Sequence, residues 1–241
     1  MVGVILAAGN GKRLAAELGM EQCKSLLSLE GKKLIYYSLE NLSLLGAEMI
    51  YVVVGKYAEE VMRTIGESYN GIPVTYLIQK QPIGIVNALM KALPIINDDF
   101  IIQLSDEVFV GNRSASLKQQ WKNREDDFFC GIIEEDDKEK IKDNYSVSTD
   151  DKMRLISCVE KPSVVENNFK GTGYCIFSKE CIALCRNCYG NELPADANLC
   201  DYMNLLIKTG KTGKCVIVAD KEANVNTIYD FEYARKIIKK I

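Results

Sequence analysis

The hydrophobic positions of this chain fall into short apolar runs separated by segments with helical spacing. Val2 to Ala8 is apolar almost throughout and ends at Gly9, as expected of a strand buried on both faces. Met49 to Val54 (MIYVVV), Pro73 to Ile78 (PVTYLI) and Phe100 to Leu104 (FIIQL) read as further strands. Between them, Ile35 to Leu45 has helical periodicity and stops at Gly46. Tyr57 to Tyr69 reads as a helix, and Ile85 to Leu93 as a helix ended by Pro94. Strands alternating with helices predict parallel strands joined by right-handed crossovers.

The second half is less regular. Arg113 to Asn123 looks helical and Phe128 to Ile133 (FFCGII) strand-like, while residues 134–144 (EEDDKEKIKDN) read as an exposed loop. Strand-like pieces follow at 145–148, 154–159 and 171–177, helices at 179–188 and 197–209, a last strand at 214–219 and a last helix at 229–241. No repeat or linker interrupts the chain. The prediction is α/β: a single Rossmann-like doubly wound domain over residues 1–241, with a mostly parallel sheet that becomes mixed in its second half.

Composition narrows the function classes. The 241 residues are 47% hydrophobic, enough for one substantial core. Thirty basic and 33 acidic side chains leave a net charge of −3 without clustered cations, so no nucleic-acid or membrane partner is expected. The nine cysteines are an odd number in a long chain, and the first apolar run is too short for a signal segment. Reduced thiols and a cytoplasmic location are expected. There is no histidine, which excludes imidazole general-base chemistry and the commonest zinc ligand. Cys181, Cys185 and Cys188 have the C-x-x-x-C-x-x-C spacing of an iron–sulfur site. They also fall at i, i+4 and i+7, one face of a helix, and buried packing is the favoured reading.

The first candidate for chemistry is LAAGNGKRL, residues 6–14, a glycine turn after a buried strand. Such turns let backbone N–H groups approach an anion at a helix start. A dinucleotide fingerprint would need glycine at Leu14. A P-loop would need glycine at Leu6 and Ser or Thr at Arg13. What remains is Gly9 and Gly11 followed by two cations, with Lys12 read as solvated.

The pattern L-A-A-G-x-G-x-R-L resembles the signature of the sugar-nucleotide pyrophosphorylases, the nucleoside triphosphate:sugar-1-phosphate nucleotidyltransferases. Further segments resembling that family follow in order. CKSLLSLEGKKLI places Lys24 at the catalytic lysine, although the flanking prolines are replaced by Cys23 and Ser25. IQKQPIGIVNAL places Gln79 and Gly84 where the base is read, and LSDEVF gives Asp106 as a metal ligand. Glu160-Lys161-Pro162 and Thr172-Gly173-Tyr174 match sugar-phosphate segments, and NVNTIYDFEYA gives Asn226 as the second metal ligand.

The resemblance implies a nucleotide-diphospho-sugar transferase-like fold and a Mg²⁺-dependent enzyme. It would join a nucleoside triphosphate, UTP or dTTP in preference to CTP, to a sugar 1-phosphate and release pyrophosphate. Residues 1–112 would bind the nucleotide through Leu6, Ala8, Gly9, Gly11, Gln79 and Gly84, and residues 113–241 the sugar phosphate through Glu160, Lys161 and Gly173. Arg13, Lys24 and Lys161 would be the catalytic cations, with Asp106 and Asn226 holding Mg²⁺. Ser146 stands where many sugar-using relatives have glycine, which keeps a smaller acceptor such as phosphocholine or a phosphonate in play. A non-catalytic relative is the other alternative. No second, acyltransferase activity is expected, and the sequence leaves the oligomeric state open, a homo-oligomer included.

Overall fold

The computed structural model describes residues 1–19 and 21–239. The first half runs β1 (Val2–Ala7), α1 (Lys12–Leu18), β2 (Ser28–Leu29), β3 (Lys32–Lys33), α2 (Leu34–Leu45), β4 (Met49–Val54), α3 (Ala58–Ile65), β5 (Ser68–Tyr69), β6 (Ile72–Ile78), α4 (Ile85–Ala92), β7 (Phe100–Leu104) and β8 (Glu107–Val110). The second runs α5 (Ser114–Lys122), β9 (Phe128–Glu134), α6 (Lys138–Lys142), β10 (Tyr145–Thr149), β11 (Leu155–Glu160), β12 (Phe169–Phe177), α7 (Glu180–Cys188), α8 (Leu199–Lys208), β13 (Gly213–Ile217), β14 (Lys221–Asn224) and α9 (Ile228–Ile238).

The apolar runs become the central strands. β6, β4, β1 and β7 lie side by side and parallel. β12 runs antiparallel to β7 and to β9, and β13 lies parallel to β9. One end of β12 also pairs with β10, which pairs antiparallel with β11. The sheet is therefore mostly parallel and mixed where the second half joins it, as expected.

Alternating residues of β1 feed two cores. Val4 and Leu6 pack in a cluster with Val86 of α4, Cys181 of α7 and Met203 of α8. Ile5 and Ala7 pack in another with Leu39 of α2, Val61 of α3 and Trp121 of α5. This is the three-layer arrangement of helices on both faces of a sheet. A third cluster joins Leu14 of α1, Val108 of β8, Ala223 of β14 and Ala234 of α9.

Three sequence expectations change. The helix expected over 57–69 ends at Ile65, because Gly66 and then Asn70-Gly71 take positive φ, and β5 folds back on β6 as a hairpin. Residues 134–144 contain α6 rather than only loop, capped by the Asp137 side chain and anchored by fully buried Ile141. The short strands β8 and β14, unseen in the sequence, pair antiparallel. The last helix is observed to Ile238, and residues 240 and 241 lie outside the described part.

The cysteine face of α7 is packing. Cys181 and Cys185 are fully buried and Cys188 half-buried, all nine cysteines are free thiols, and burial raises the Cys185 thiol to about 12. No helix among the described residues is long and apolar enough to cross a membrane.

Phe177 is the hub of the first core, fully buried and stacked on Phe100, Phe128 and Tyr202 at centroid distances of 5.2, 5.6 and 5.2 Å. Phe177→Ala should cost roughly 3–5 kcal/mol of stability, read from urea unfolding.

Candidate functional site

The site forms where β1 and β7 end together, Leu6 being in parallel register with Leu104. After β1 the chain turns through Gly9 to Gly11, which precedes α1 with φ of 59°. That left-handed conformation favours glycine, so part of the demand for Gly11 is conformational. A Cβ there would also press within 3.3 Å of the Lys24 Cβ. Lys24 opens a single 3₁₀ turn. The next residue, Ser25, is buried and shares a hydrogen bond of 2.7 Å with the hydroxyl of Ser105. The absent proline is thus replaced by a polar contact that ties the Lys24 turn to the end of β7.

Asp106 follows Ser105 directly. The Lys24 ammonium makes an ion pair with the Asp106 carboxylate and donates to Asn226 Oδ1 at 2.9 Å. The lysine and aspartate side chains are 12% and 16% exposed, so water screens the pair less than at an open surface. Three predicted residues from distant parts of the chain therefore meet at one nitrogen.

Asn226 is held from several sides. β8 and β14 bring Glu107 opposite Asn224, and the N–H of Val225 donates to the carbonyl of Asp106 at 2.9 Å. Asn224 Oδ1 accepts from Asn226 Nδ2 at 2.9 Å, which leaves the Asn226 oxygen turned to Lys24. Asp230, in the first turn of α9, accepts from the N–H groups of Asn226 and Thr227. Thr227 and Asp230 form a capping box, so the helix start fixes the loop that carries Asn226.

A pocket of about 250 Å³ lies beside this contact, lined among others by Leu6, Ala8, Gly9, Gln79, Gly84 and Lys24. Of the predicted nucleotide residues, Gly11 does not line it. Gln79 is buried and donates its side-chain N–H to Asn87 Oδ1 at 2.7 Å, and Asn87 in turn donates to the Tyr189 hydroxyl. Gly84 precedes α4 in an extended conformation, and a Cβ there would come within 2.7 Å of the Asp196 backbone.

A second pocket of about 220 Å³ adjoins at Asn226 and takes in Arg13, Asn144, Lys170, Glu222 and Asn224. Arg13 is exposed and belongs to this pocket, not to the first. Lys170 and Glu222 form a buried ion pair, and Glu107, also buried, accepts from the Gly173 N–H at 2.8 and 3.0 Å. Burial, then the Glu222 charge, raises Glu107 well above the usual carboxylate range. Burial also raises Glu222, and burial alone would lower Lys170, but the Glu222 carboxylate more than offsets it.

The remaining predicted residues sit apart. Gly173 is buried with its N–H committed to Glu107, and it lines neither pocket. Its expected place is on the sugar-phosphate surface. Glu160 and Lys161 are exposed at the end of β11 and also line neither, although the Lys161 N–H donates to Asn144, which does line the second pocket, at 2.7 Å. Lys161 has φ of 46°, a conformation seldom adopted by a residue with a side chain. Ser146, which stands where many sugar-using relatives have glycine, lines a separate groove with Val159 and Pro162.

A lysine, a carboxylate and an amide oxygen meeting beside a pocket at the carboxyl ends of parallel strands suit chemistry on phosphate groups. Similarity to known proteins agrees. Residues 2–221 match the family model described as nucleotidyl transferase. The chain belongs to the nucleotidyl transferase family.

This nucleotidyl transferase is 29% identical, over 88% of its length and 86% of the relative's, to a UTP–glucose-1-phosphate uridylyltransferase of Haloferax volcanii. It is 22% identical to a glucose-1-phosphate thymidylyltransferase of Streptomyces griseus, over 99% of this chain but 66% of that one. Its fold matches the structure of a UDP-glucose pyrophosphorylase complexed with UDP-glucose, with a TM-score of 0.82 at 17% identity, covering 99% of this chain and 98% of that one. Asn226 and α9 lie beyond the residues matched by the family model.

The residues present fit a hard divalent cation. Asp106 and Asn226 both present an oxygen to one ammonium nitrogen, so the two oxygens converge. Two protein oxygens suit Mg²⁺, which keeps waters and substrate phosphates as its other ligands. No cluster of three His, Cys, Asp or Glu side chains suited to a metal occurs among the described residues. Sequence reasoning missed Ser25–Ser105, Asn87 and the buried Lys170–Glu222 pair. Asn224 did carry a signal, lying two positions from Asn226 in an extended segment, but it orients the neighbouring amide.

Removing Asp230 should uncouple this arrangement. Asp230→Ala is expected to cost about 1 kcal/mol in a thermal melt through the lost N3 half of the capping box, and to weaken Asn226's hold on Lys24 further. Loss of the crosspeak linking Lys24 and Asn226 in NMR spectra would report it, while an unaltered crosspeak would contradict the positioning role.

Proposed function

We propose that this family member transfers a nucleotidyl group from UTP or dTTP, with CTP the less favoured donor, to a hexose 1-phosphate, glucose 1-phosphate first. The observation that carries this reading is the meeting of Lys24, Asp106 and Asn226 at the mouth of the pocket lined by Gly9, Gln79 and Gly84. The uridylyltransferase of Haloferax and the thymidylyltransferase of Streptomyces, both named for glucose 1-phosphate, support the choice of base and acceptor.

In this reading an oxygen of the acceptor phosphate attacks the α-phosphorus of the triphosphate and pyrophosphate leaves. The nucleophile is already an anion at neutral pH, so no proton need be removed by the protein. That agrees with a chain lacking histidine. The protein's task is to bring anions together and neutralise charge that grows in the transition state. Lys24 supplies a point charge beside the pocket. Arg13 offers a planar fork of donors at the rim of the second pocket, suited to the leaving pyrophosphate. Lys161 meets the acceptor phosphate, its left-handed backbone being the kind of strain that functional positions retain. Gln79 and Gly84 read a pyrimidine, and Leu6, Ala8 and Gly9 follow the nucleoside. Asp106 and Asn226 would hold Mg²⁺, which when bound supplies neutralisation of the phosphate oxygens.

A pyrophosphate-release assay tests this, offering UTP, dTTP and CTP against a panel of sugar 1-phosphates and phosphocholine with Mg²⁺. Release with UTP or dTTP and glucose 1-phosphate is expected, and chelation should abolish it. Absence of release with every pair would sink the reading. Asp106→Ala and Lys24→Ala should each lower kcat/KM by roughly a hundredfold or more. Arg13→Ala should cripple turnover while leaving the melting temperature nearly unchanged, because Arg13 is exposed.

A further inference from the structure

The side chain of Gln79 is held by other side chains rather than by backbone. Its Nε2 donates to Oδ1 of Asn87 on α4 at 2.7 Å, and Asn87 Nδ2 donates to the hydroxyl of Tyr189, the residue after α7. The segment from Tyr189 to Ala197 braces the same place twice more. Val86 donates its N–H to the Ala197 carbonyl at 3.1 Å, and Gly84 leaves no room for a Cβ against the Asp196 backbone. The backbone around Gln79 is thus packed, and the freedom that remains is in the amide groups. Gln79 is only 2% exposed, yet its Oε1 has no hydrogen-bond partner among the described residues and is not one of the side-chain atoms shut off from solvent. That oxygen opens to the first pocket, which Gln79 lines.

This chain of hydrogen bonds has no fixed direction. A carboxamide accepts on one side and donates on the other, and a phenol hydroxyl does both. When both amides turn over, Tyr189 donates to Asn87, Asn87 donates to Gln79, and Gln79 shows N–H to the pocket. No bond within the chain is lost. No charged side chain among the described residues is bonded to any of the three, so none pins one direction.

We propose that Asn87 and Tyr189 are positioning residues that form a reversible relay, and that its two directions let Gln79 read either kind of pyrimidine. The inference rests on the nucleotidyl-transfer reading and names the residues that set its choice of base. Uracil and thymine present a ring N–H at N3, which needs an oxygen. Cytosine presents a bare ring nitrogen at the same place, which needs an N–H. Turning the relay over meets each demand in turn, so the choice between UTP and CTP is set at Asn87 and not by Gln79 alone. A carboxylate in place of the Asn87 amide can only accept. It takes an N–H from Gln79 and the O–H of Tyr189, and keeps Gln79 Oε1 turned to the pocket, where it repels the cytosine ring nitrogen.

The test is calorimetric titration of the full chain with UTP and with CTP, in Mg²⁺ at pH 8 and without any acceptor. The wild type should bind both, UTP the more tightly. Asn87→Asp should widen the ratio of their Kd values by about 10- to 100-fold, almost wholly through weaker CTP binding. Asn87→Leu, which removes the relay, should weaken both and keep their ratio within about threefold of the wild type's. Should Asn87→Asp melt early, NMR of the wild type decides: the Asn87 side-chain amide signal, assigned by its absence in Asn87→Leu, should differ between the UTP and CTP complexes. Equal weakening of both nucleotides by Asn87→Asp would make Asn87 merely structural and overturn the proposal. So would a wild type that binds UTP but not CTP, or one Asn87 signal common to both complexes. Binding of neither triphosphate by the wild type would take down the nucleotidyl-transfer reading and this inference with it. Binding of both with a ratio indifferent to Asn87→Asp would remove this inference alone.

Discussion

The antiparallel pairing of β8 with β14 is the constraint on which the site depends. It is only four residues long on each side, and the Val225 N–H extends it to the carbonyl of Asp106. In an extended segment alternate side chains share a face. Ala223 and Val225 are buried in the third core with Val108 and Ala234. Glu222, Asn224 and Asn226 consequently turn the other way, toward Lys170, the Asn226 side-chain amide and Lys24 respectively. A slip of one residue would send Val225 into the site and Asn226 into the core. The apolar side of β14 therefore enforces the position of its polar side.

The larger sheet supplies the platform for that contact. Parallel strands β1 and β7 end at the same level, and loops leaving them carry Gly9, Ser105 and Asp106 to one place. Lys24 arrives from a third loop and is fastened by Ser25 to Ser105. Each fastening is individually worth little beside the hydrophobic core. Together they hold a lysine, an aspartate and an asparagine, the first and last 202 positions apart in the chain. Preorganised charge is useful because the groups need not reorganise as the reaction proceeds.

How much was legible before the fold was known differs by element, for physical reasons. Buried central strands announced themselves, because both faces must be apolar and little but Val, Ile, Leu and Phe satisfies that. The Asn70-Gly71 turn was also written in the chain as a hairpin signal, but the apparent helical run before it masked the break at Gly66. α6 was hidden in a run of charges, its burial resting on the single residue Ile141. Strand β14, KEAN, carries two charged or polar residues at its ends and a glutamate inside, a composition that would never be read as buried. Only Lys170, arriving from another strand, makes that burial tolerable.

The sequence by itself determined the alternating α/β architecture and the glycine turn, and its resemblance to the family singled out Arg13, Lys24 and Asp106. Local periodicity, and short motifs that follow one another in order, need no partner to be recognised. The tertiary structure decided which of these residues converge. It joined Lys24 to Asp106 and Asn226, placed Arg13 in the second pocket, set Gly173 beneath the surface on Glu107, and buried Lys170 against Glu222. Those outcomes depend on strand register and on contacts between distant segments, and no local pattern of side chains encodes either.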